Sequence, residues 1–278
     1  MNIIKNNQIS KSLNDLNVNG FTKIDSVFQK EEIEKLKTLI NSNFLDLNKS
    51  SKMKYDGKPK RDIDDKILYN LQNKDKFFVD ILGCPVIEKI AISKLNDKYY
   101  RFLPDSKPNY TLLYFNARSS GKELDLHIDS NIPFIGPYTS VMQFAIMLED
   151  SDENNGCTVV VPGSHQSGEY SNRNLDNKIS VTAKAGDIVC WDSRLWHGTL
   201  PNKSKKSRWA IIATLGRWWI KPSMDIPRGL PEHIYTELTN KQKVLLGYCA
   251  IPPKNEFERI NTKCGYDFIK PSVKDYFN

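Results

Sequence analysis

Hydrophobic spacing changes character twice along the chain. Near the start, Gly20-Phe21-Thr22-Lys23-Ile24 alternates as a strand does, and beyond Gln29-Lys30-Glu31-Glu32 the residues Ile33, Leu36, Ile40 and Phe44 recur at three- and four-residue intervals. That spacing predicts a helix with one face on the core. The stretch from Asn48 to Asp62 is polar, rich in Lys and Ser, and contains Gly57 and Pro59; it predicts a mobile loop that could form part of a lid. Lys76 to Leu95 reads as partly helical, interrupted at Gly83-Cys84-Pro85 because proline has no amide hydrogen to continue a helix.

From Tyr110 the texture becomes strand-like. Short runs at Thr111 to Phe115, Leu124 to Ile128, Ser140 to Leu148, Thr158 to Val161, Ile188 to Trp191 and Trp209 to Leu215 are separated by turn signals at Asn154-Asn155-Gly156, Pro162-Gly163-Ser164 and Ala185-Gly186-Asp187. So many runs in so short a stretch predict a sandwich or jelly roll. After Gly216 the chain is helical or irregular, with Lys241 to Tyr248 the strongest helical segment. The expected layout is a single domain over 1-278: a helical part to about 105, a β core over about 106-220, and an extension over 221-278.

Composition narrows the class. The 278 residues are 39% hydrophobic and 26% charged, and with a mean hydropathy of -0.51 no apolar run approaches the roughly 18 to 20 residues of a spanning helix. Met1 to Ser10 lacks the layout of a secretory signal. A cytoplasmic protein without a membrane partner is expected. Five scattered cysteines, Cys84, Cys157, Cys190, Cys249 and Cys264, show no C-x-x-C spacing and read as buried thiols in a reducing compartment. The net charge of +7 favours anionic partners, yet the basic residues are spread out and no nucleic-acid motif accompanies them, so no nucleic-acid partner is expected. Oligomeric state has no readable signature here.

The chemistry gathers around two of the four histidines. In Leu126-His127-Ile128-Asp129 an imidazole and a carboxylate stand two apart on a predicted strand and so share a face. They supply two ligands of the two-His-one-carboxylate facial triad, which leaves three positions of an octahedral iron open. His197, within Trp191-Asp192-Ser193-Arg194-Leu195-Trp196-His197-Gly198-Thr199, is the natural third ligand. Arg208 follows at the start of the next apolar strand, where a guanidinium suits the distal carboxylate of 2-oxoglutarate. Thr199 could donate a further hydrogen bond to that carboxylate. Each piece alone has a bland reading, a structural strand histidine or a surface ion pair; their order and setting point to a site.

Together these residues resemble the phytanoyl-CoA dioxygenase-like (PhyH) family of iron(II) and 2-oxoglutarate oxygenases, over roughly Gly20 to Trp219. The resemblance is carried by the Gly-Phe strand and following helix, by His127-x-Asp129, and by the block from Asn155-Gly156-Cys157 to Pro162-Gly163-Ser164-His165. It continues through Gly186-Asp187-Ile188-Val189 and His197-Gly198-Thr199-Leu200-Pro201-Asn202 to Ser207-Arg208. It implies a mainly β fold with flanking helices around a double-stranded β-helix (jelly-roll, cupin-like) core. It also implies Fe(II) on His127, Asp129 and His197, 2-oxoglutarate on Arg208 and Thr199, and dioxygen as the other cosubstrate. Gln143, on the next predicted strand, is expected to face the same cavity, although many relatives carry an aromatic on this strand. His165 belongs to a structural turn and receives no metal role, and the tryptophans read as core or pocket wall.

The implied reaction is hydroxylation of a C-H bond with formation of succinate and carbon dioxide. Asp129 fills the coordination site that halogenating relatives leave for chloride. A non-catalytic jelly-roll binding protein, or a cupin-type metalloenzyme that does not use 2-oxoglutarate, is the alternative. The partner is a small-molecule substrate. Lys49, Lys52, Lys54, Lys58, Lys60 and Arg61 in the polar loop favour an anionic one, and the Lys203 to Lys206 run reads as a solvated hairpin tip that would also draw acidic ligands.

Overall fold

The computed structural model describes residues 1-2, 6-49, 66-99, 103, 107-119, 121-170, 175-204, 206-258 and 265-277. They gather into two compact units: one of Met1–Tyr69, Asn116–Tyr138 and Gln143–Ile212, the other of Asn70–Phe115, Thr139–Met142 and Ala213–Asn278. Among the described residues, ten strands form two sheets. They are β1 (Phe21–Ile24), β2 (Lys66–Tyr69), β3 (Tyr110–Ser119), β4 (Leu124–His127), β5 (Val141–Met147), β6 (Thr158–Val160), β7 (Ile179–Val181), β8 (Ile188–Asp192), β9 (His197–Thr199) and β10 (Trp209–Arg217). The larger sheet has the order β1-β8-β5-β10-β3-β2 and the smaller β4-β9-β6-β7. Non-consecutive neighbours in both sheets are the mark of a jelly roll, and the fold is the mainly β, helix-flanked one expected.

In the first unit, α1 (Asn6–Val18) packs on β1, and α2 (Lys30–Lys49) covers the larger sheet. The α2 periodicity is used as its spacing predicts: Ile33, Leu36 and Ile40 are buried. The Phe44 ring meets Trp209 edge-on at 5.5 Å, and Lys66 Nζ lies 5.9 Å over the same ring. Trp209 and Lys66, with Ser119 opposite Lys66 in the β2–β3 register, therefore look toward α2. Because strand side chains alternate, Arg118 and Arg208 look the other way. That inner face holds one core cluster: Ala145 and Met147 of β5, Val189 and Trp191 of β8, and Ala210 of β10 pack with Val160 of β6, Val181 of β7 and Leu195.

The second unit is mostly helical in its flanks. Asp75 caps α3 (Lys76–Leu82) by accepting the Phe77 amide at 2.8 Å. Pro85 opens α4 (Pro85–Leu95), so the Gly83-Cys84-Pro85 interruption is where one helix stops and the next begins. Two short helices, α5 (Ile226–Gly229) and α6 (Glu232–Glu237), precede α7 (Asn240–Leu245). Thr239 and Gln242 form a capping box on α7, and Gly247 at φ 90° stops the helix short of Tyr248.

Several elements differ from the sequence expectation. Helix α1 was not anticipated; its buried Ile9, Ser12 and Leu16 make too thin an apolar stripe among Asn, Lys and Ser. Strands β2 and β7 were not anticipated either, and β3 runs four residues past Phe115 through polar Asn116 to Ser119, paired to β2. Asn48 is the penultimate residue of α2 and not loop. The remaining loop to Asp62, with the side chains of its lysines and Arg61, lies outside the described residues. Cys84, Cys157 and Cys190 are buried and Cys249 is half-buried, and none of the four is in a disulfide among the described residues. No helix among the described residues is long and apolar enough to cross a membrane.

Replacing Ile40, fully buried on the α2 stripe, with Ala should destabilise the protein by about 2 to 5 kcal/mol. The expected result is a lower chemical-denaturation midpoint with unchanged slope; an unchanged midpoint would contradict the packing of α2 on the sheet.

Candidate metal centre

The centre is built where β4 and β9 pair. His127 and His197 are direct antiparallel partners, with a register shift between Leu124 and His127, and bulges of this kind re-aim side chains near functional sites. Gly198 permits the pairing: a Cβ there would run into the Leu124 carbonyl oxygen and crowd Asp125. On its other side β9 pairs with β6, Val160 opposite His197 and Thr158 opposite Thr199.

Asp129 follows β4, and its position is set by the turn that leads into β9. The Ser193 carbonyl accepts the amides of Asp129 at 2.8 Å and Ser130 at 3.0 Å. That turn is rigid because Asp192 and Arg194, almost wholly buried, form a two-pronged ion pair, with Arg194 Nε 2.9 Å from Oδ1 and a terminal nitrogen 2.8 Å from Oδ2. The other terminal nitrogen of Arg194 donates to the carbonyls of Phe134 at 3.3 Å and Gly136 at 2.8 Å, and the guanidinium stacks on the Phe134 ring. Removing Arg194 would leave a buried carboxylate uncompensated, a loss of about 3 to 5 kcal/mol. In sequence the Asp192-Ser193-Arg194 run has no legible role, since nothing local shows that its carboxylate and guanidinium face each other.

The ligating atoms converge. One atom each from His127, Asp129 and His197 lies within 4.8 Å of the others. Asp129 Oδ1 is 3.6 Å from His127 Nε2, and Oδ2 is 3.3 Å from His197 Nε2. Each imidazole donates its Nδ1–H to the carbonyl two residues earlier, His127 to Asp125 at 2.8 Å and His197 to Leu195 at 2.9 Å. Those bonds fix the rings and turn both Nε2 atoms toward the carboxylate: a protonated Nε2 donates to Asp129, and a deprotonated one is the tautomer that would ligate a metal. Trp191 walls the site, its ring 5.0 Å from that of His197. For His127, the hydrogen bond to Asp129 raises the pKa above its usual 6.5, against an opposing effect of burial. For Asp129, burial works upward, but the hydrogen bonds from both imidazoles outweigh it and hold the carboxyl well below the usual range. A carboxylate held negative between two imidazoles is a donor set that could hold a metal ion.

The other expected residues are distributed as follows. Arg208 is 5% exposed; its amide donates to Ser119 Oγ at 2.8 Å and its Nε to the Asn155 carbonyl at 3.1 Å. Burial lowers its pKa below the ordinary arginine value. Thr199 stands two residues from His197 on β9, and its buried Oγ1 has no hydrogen-bond partner among the described residues. Gln143 is buried on β5, two residues before Ala145, and so on the inner face. His165 is not part of the cluster. It is buried beneath the turn at Gly20, where a Cβ would strike its ring, and its Nε2 is 3.3 Å from the Asn17 carbonyl.

Two solved structures superpose on this chain: HygX from Streptomyces hygroscopicus, with nickel and 2-oxoglutarate bound, and EctD from S. alaskensis, with 2-oxoglutarate and 5-hydroxyectoine. The TM-score is 0.58 for each, at 16% and 12% identity, covering 79% and 77% of this chain and 89% and 79% of those chains; likeness at this identity establishes the fold. The phytanoyl-CoA dioxygenase (PhyH) family model matches residues 16–210, and the chain belongs to that family. An uncharacterized protein of Mycobacterium tuberculosis is 31% identical over 113 residues, 40% of this chain and 41% of that protein. A phytanoyl-CoA dioxygenase of Arabidopsis thaliana is 27% identical over 145 residues, 45% of this chain and 51% of its own. The match thus spans about two fifths to one half of these relatives' lengths.

Two outcomes follow from the geometry. Gly198→Ala should separate β4 from β9 and weaken divalent-metal binding by about tenfold or more, read by titration with Co(II); undiminished affinity would mean that the close approach does not shape the site. In the metal-free protein, His127 should titrate above 6.5, so its pairing with Asp129 adds stability that is complete below that pH and is lost as pH rises through the folded-state pKa. An NMR titration tests this, with Asp129→Asn expected to lower the value; a His127 pKa at or below 6.5 would contradict the pairing.

Proposed function

We propose that this chain is an iron(II)- and 2-oxoglutarate-dependent dioxygenase that hydroxylates a C-H bond of a small organic substrate, with succinate and carbon dioxide as co-products. The observation that carries this reading is the convergence of two imidazole Nε2 atoms and one carboxylate within 4.8 Å, with both Nδ1 atoms pinned to backbone carbonyls. Family membership and the 2-oxoglutarate held by HygX and EctD support it. In this reading His127, Asp129 and His197 would hold iron(II) and supply three of its ligands.

When bound, the iron and 2-oxoglutarate supply the oxidising power through dioxygen. The protein's part is binding and orientation. Arg208, its backbone fixed by Ser119 and its Nε by Asn155, presents its terminal nitrogens to the distal carboxylate of 2-oxoglutarate, and the open Thr199 hydroxyl donates to the same group. Gln143 lines the inner face beside them. A ligated carboxylate at position 129 favours hydroxylation over halogenation. The Arg208 and Thr199 pair favours this reading over a cupin-type enzyme without 2-oxoglutarate, and the preorganised triad favours it over a non-catalytic binding protein. An anionic primary substrate stays part of the proposal on net charge alone.

Anaerobic addition of iron(II) and 2-oxoglutarate should produce the visible charge-transfer band of the chelate, and 2-oxoglutarate should be turned over to succinate. His127→Ala, Asp129→Ala and His197→Ala should each abolish both while the chain stays folded. Arg208→Ala should cost about 2 to 5 kcal/mol in 2-oxoglutarate binding and leave iron binding intact. Near-normal succinate formation by any triad variant would falsify the assignment, and equal loss of both ligands in Arg208→Ala would point to a folding defect.

A further inference from the structure

The inner face of the larger sheet carries a half-buried cation, Arg118, that the proposed roles leave unused. Arg118 lies on β3 one residue before Ser119, whose hydroxyl accepts the Arg208 amide at 2.8 Å. Ser119 pairs with Lys66, and Lys66 and Trp209 both meet the Phe44 ring on the α2 side. By alternation the guanidinium-bearing residues Arg118 and Arg208 project from neighbouring strands to the opposite, inner side.

The Arg118 Nε is buried and has no hydrogen-bond partner among the described residues. This contrasts with Arg194, whose Nε and terminal nitrogens all meet oxygen acceptors. The Arg118 charge acts on both His127 and Arg208, opposing the protonated form of each, so it stands within electrostatic reach of the metal triad and of the cosubstrate arginine. Glu149, the carboxylate that acts on Arg208, is already engaged: it accepts the Trp209 amide at 2.8 Å and reaches Lys37 at 3.9 Å. Two like-charged guanidinium groups within electrostatic reach of each other, one with an unmet donor, are costly when empty and well suited to a dianion.

We infer that Arg118 is a positioning residue for 2-oxoglutarate, donating to the carboxylate nearer the metal while Arg208 holds the distal one. The inference rests on the iron and 2-oxoglutarate reading above and adds to it a residue that recognises the second carboxylate before any metal is present. A molecule with a carboxylate at each end spans the two guanidinium groups. A monocarboxylate of the same chain length satisfies only Arg208.

The test uses the full chain without metal, with glutarate and pentanoate as probes and calorimetry or ligand NMR as readout. The parent protein should prefer glutarate by about tenfold to a hundredfold, the worth of one charge-assisted hydrogen-bonded contact. Arg118→Met should erase that preference and leave pentanoate affinity unchanged, Arg118→Lys should keep part of it, and Arg208→Met should weaken both probes. Thermal midpoints of all variants separate lost binding from lost folding; should Arg118→Met not fold, Arg118→Gln takes its place. If the parent shows no preference for the diacid, or Arg118→Met keeps it, the inference is overturned and Arg118 is left to the primary substrate or to the fold. The charge-transfer band in the parent tells the two failures apart. A band with no Arg118 effect leaves the enzyme reading standing; no band removes that reading itself.

Discussion

The close approach of β4 and β9 is the constraint on which the centre depends. It requires a residue without a side chain at position 198, since any Cβ would meet the Leu124 carbonyl. It places His127 and His197 directly opposite each other. The same neighbourhood fixes the third donor, because the Ser193 carbonyl in the turn before β9 takes up the amides of Asp129 and Ser130. Three donors from two chain segments thereby share one backbone framework, and each imidazole is further held by the carbonyl two residues before it. Preorganisation of this kind removes the ordering cost from ligand binding.

A second principle sorts the buried polar residues. Buried donors are nearly always paired, so the exceptions are informative. Arg194 is saturated by Asp192 and two loop carbonyls and serves to hold backbone in place. Thr199 Oγ1 and Arg118 Nε are buried and open, on the same inner side as Arg208. The satisfied Arg194 and the Arg118 Nε that lacks a partner among the described residues stand in contrast. Family membership, shown by the phytanoyl-CoA dioxygenase model over residues 16–210, and the likeness to HygX and EctD place both in a fold shared with those proteins.

Much of this was legible in the order of residues. The apolar stripe of α2, the strand runs from Tyr110 onward, the break at Pro85 and the His127-x-Asp129 pair all express local rules: helix period, strand alternation, the missing proline donor, and the two-residue spacing that sets side chains on one face. What escaped was held in place by distant partners. Polar Asn116 to Ser119 reads as loop, and becomes strand because β2 supplies its hydrogen bonds. Helix α1, thin in apolar residues, forms where β1 offers it a surface.

The sequence by itself therefore determined which residue types were available as metal and carboxylate partners, and roughly which elements would carry them, because those depend on chemistry and local periodicity. Only the tertiary structure decided that Asp129 lies between two imidazoles, that Arg194 is framework, and that Arg118 shares an inner face with Arg208. Those facts are set by strand register and by the face each strand turns to the core, and a shift of one residue in register would reverse every one of those faces.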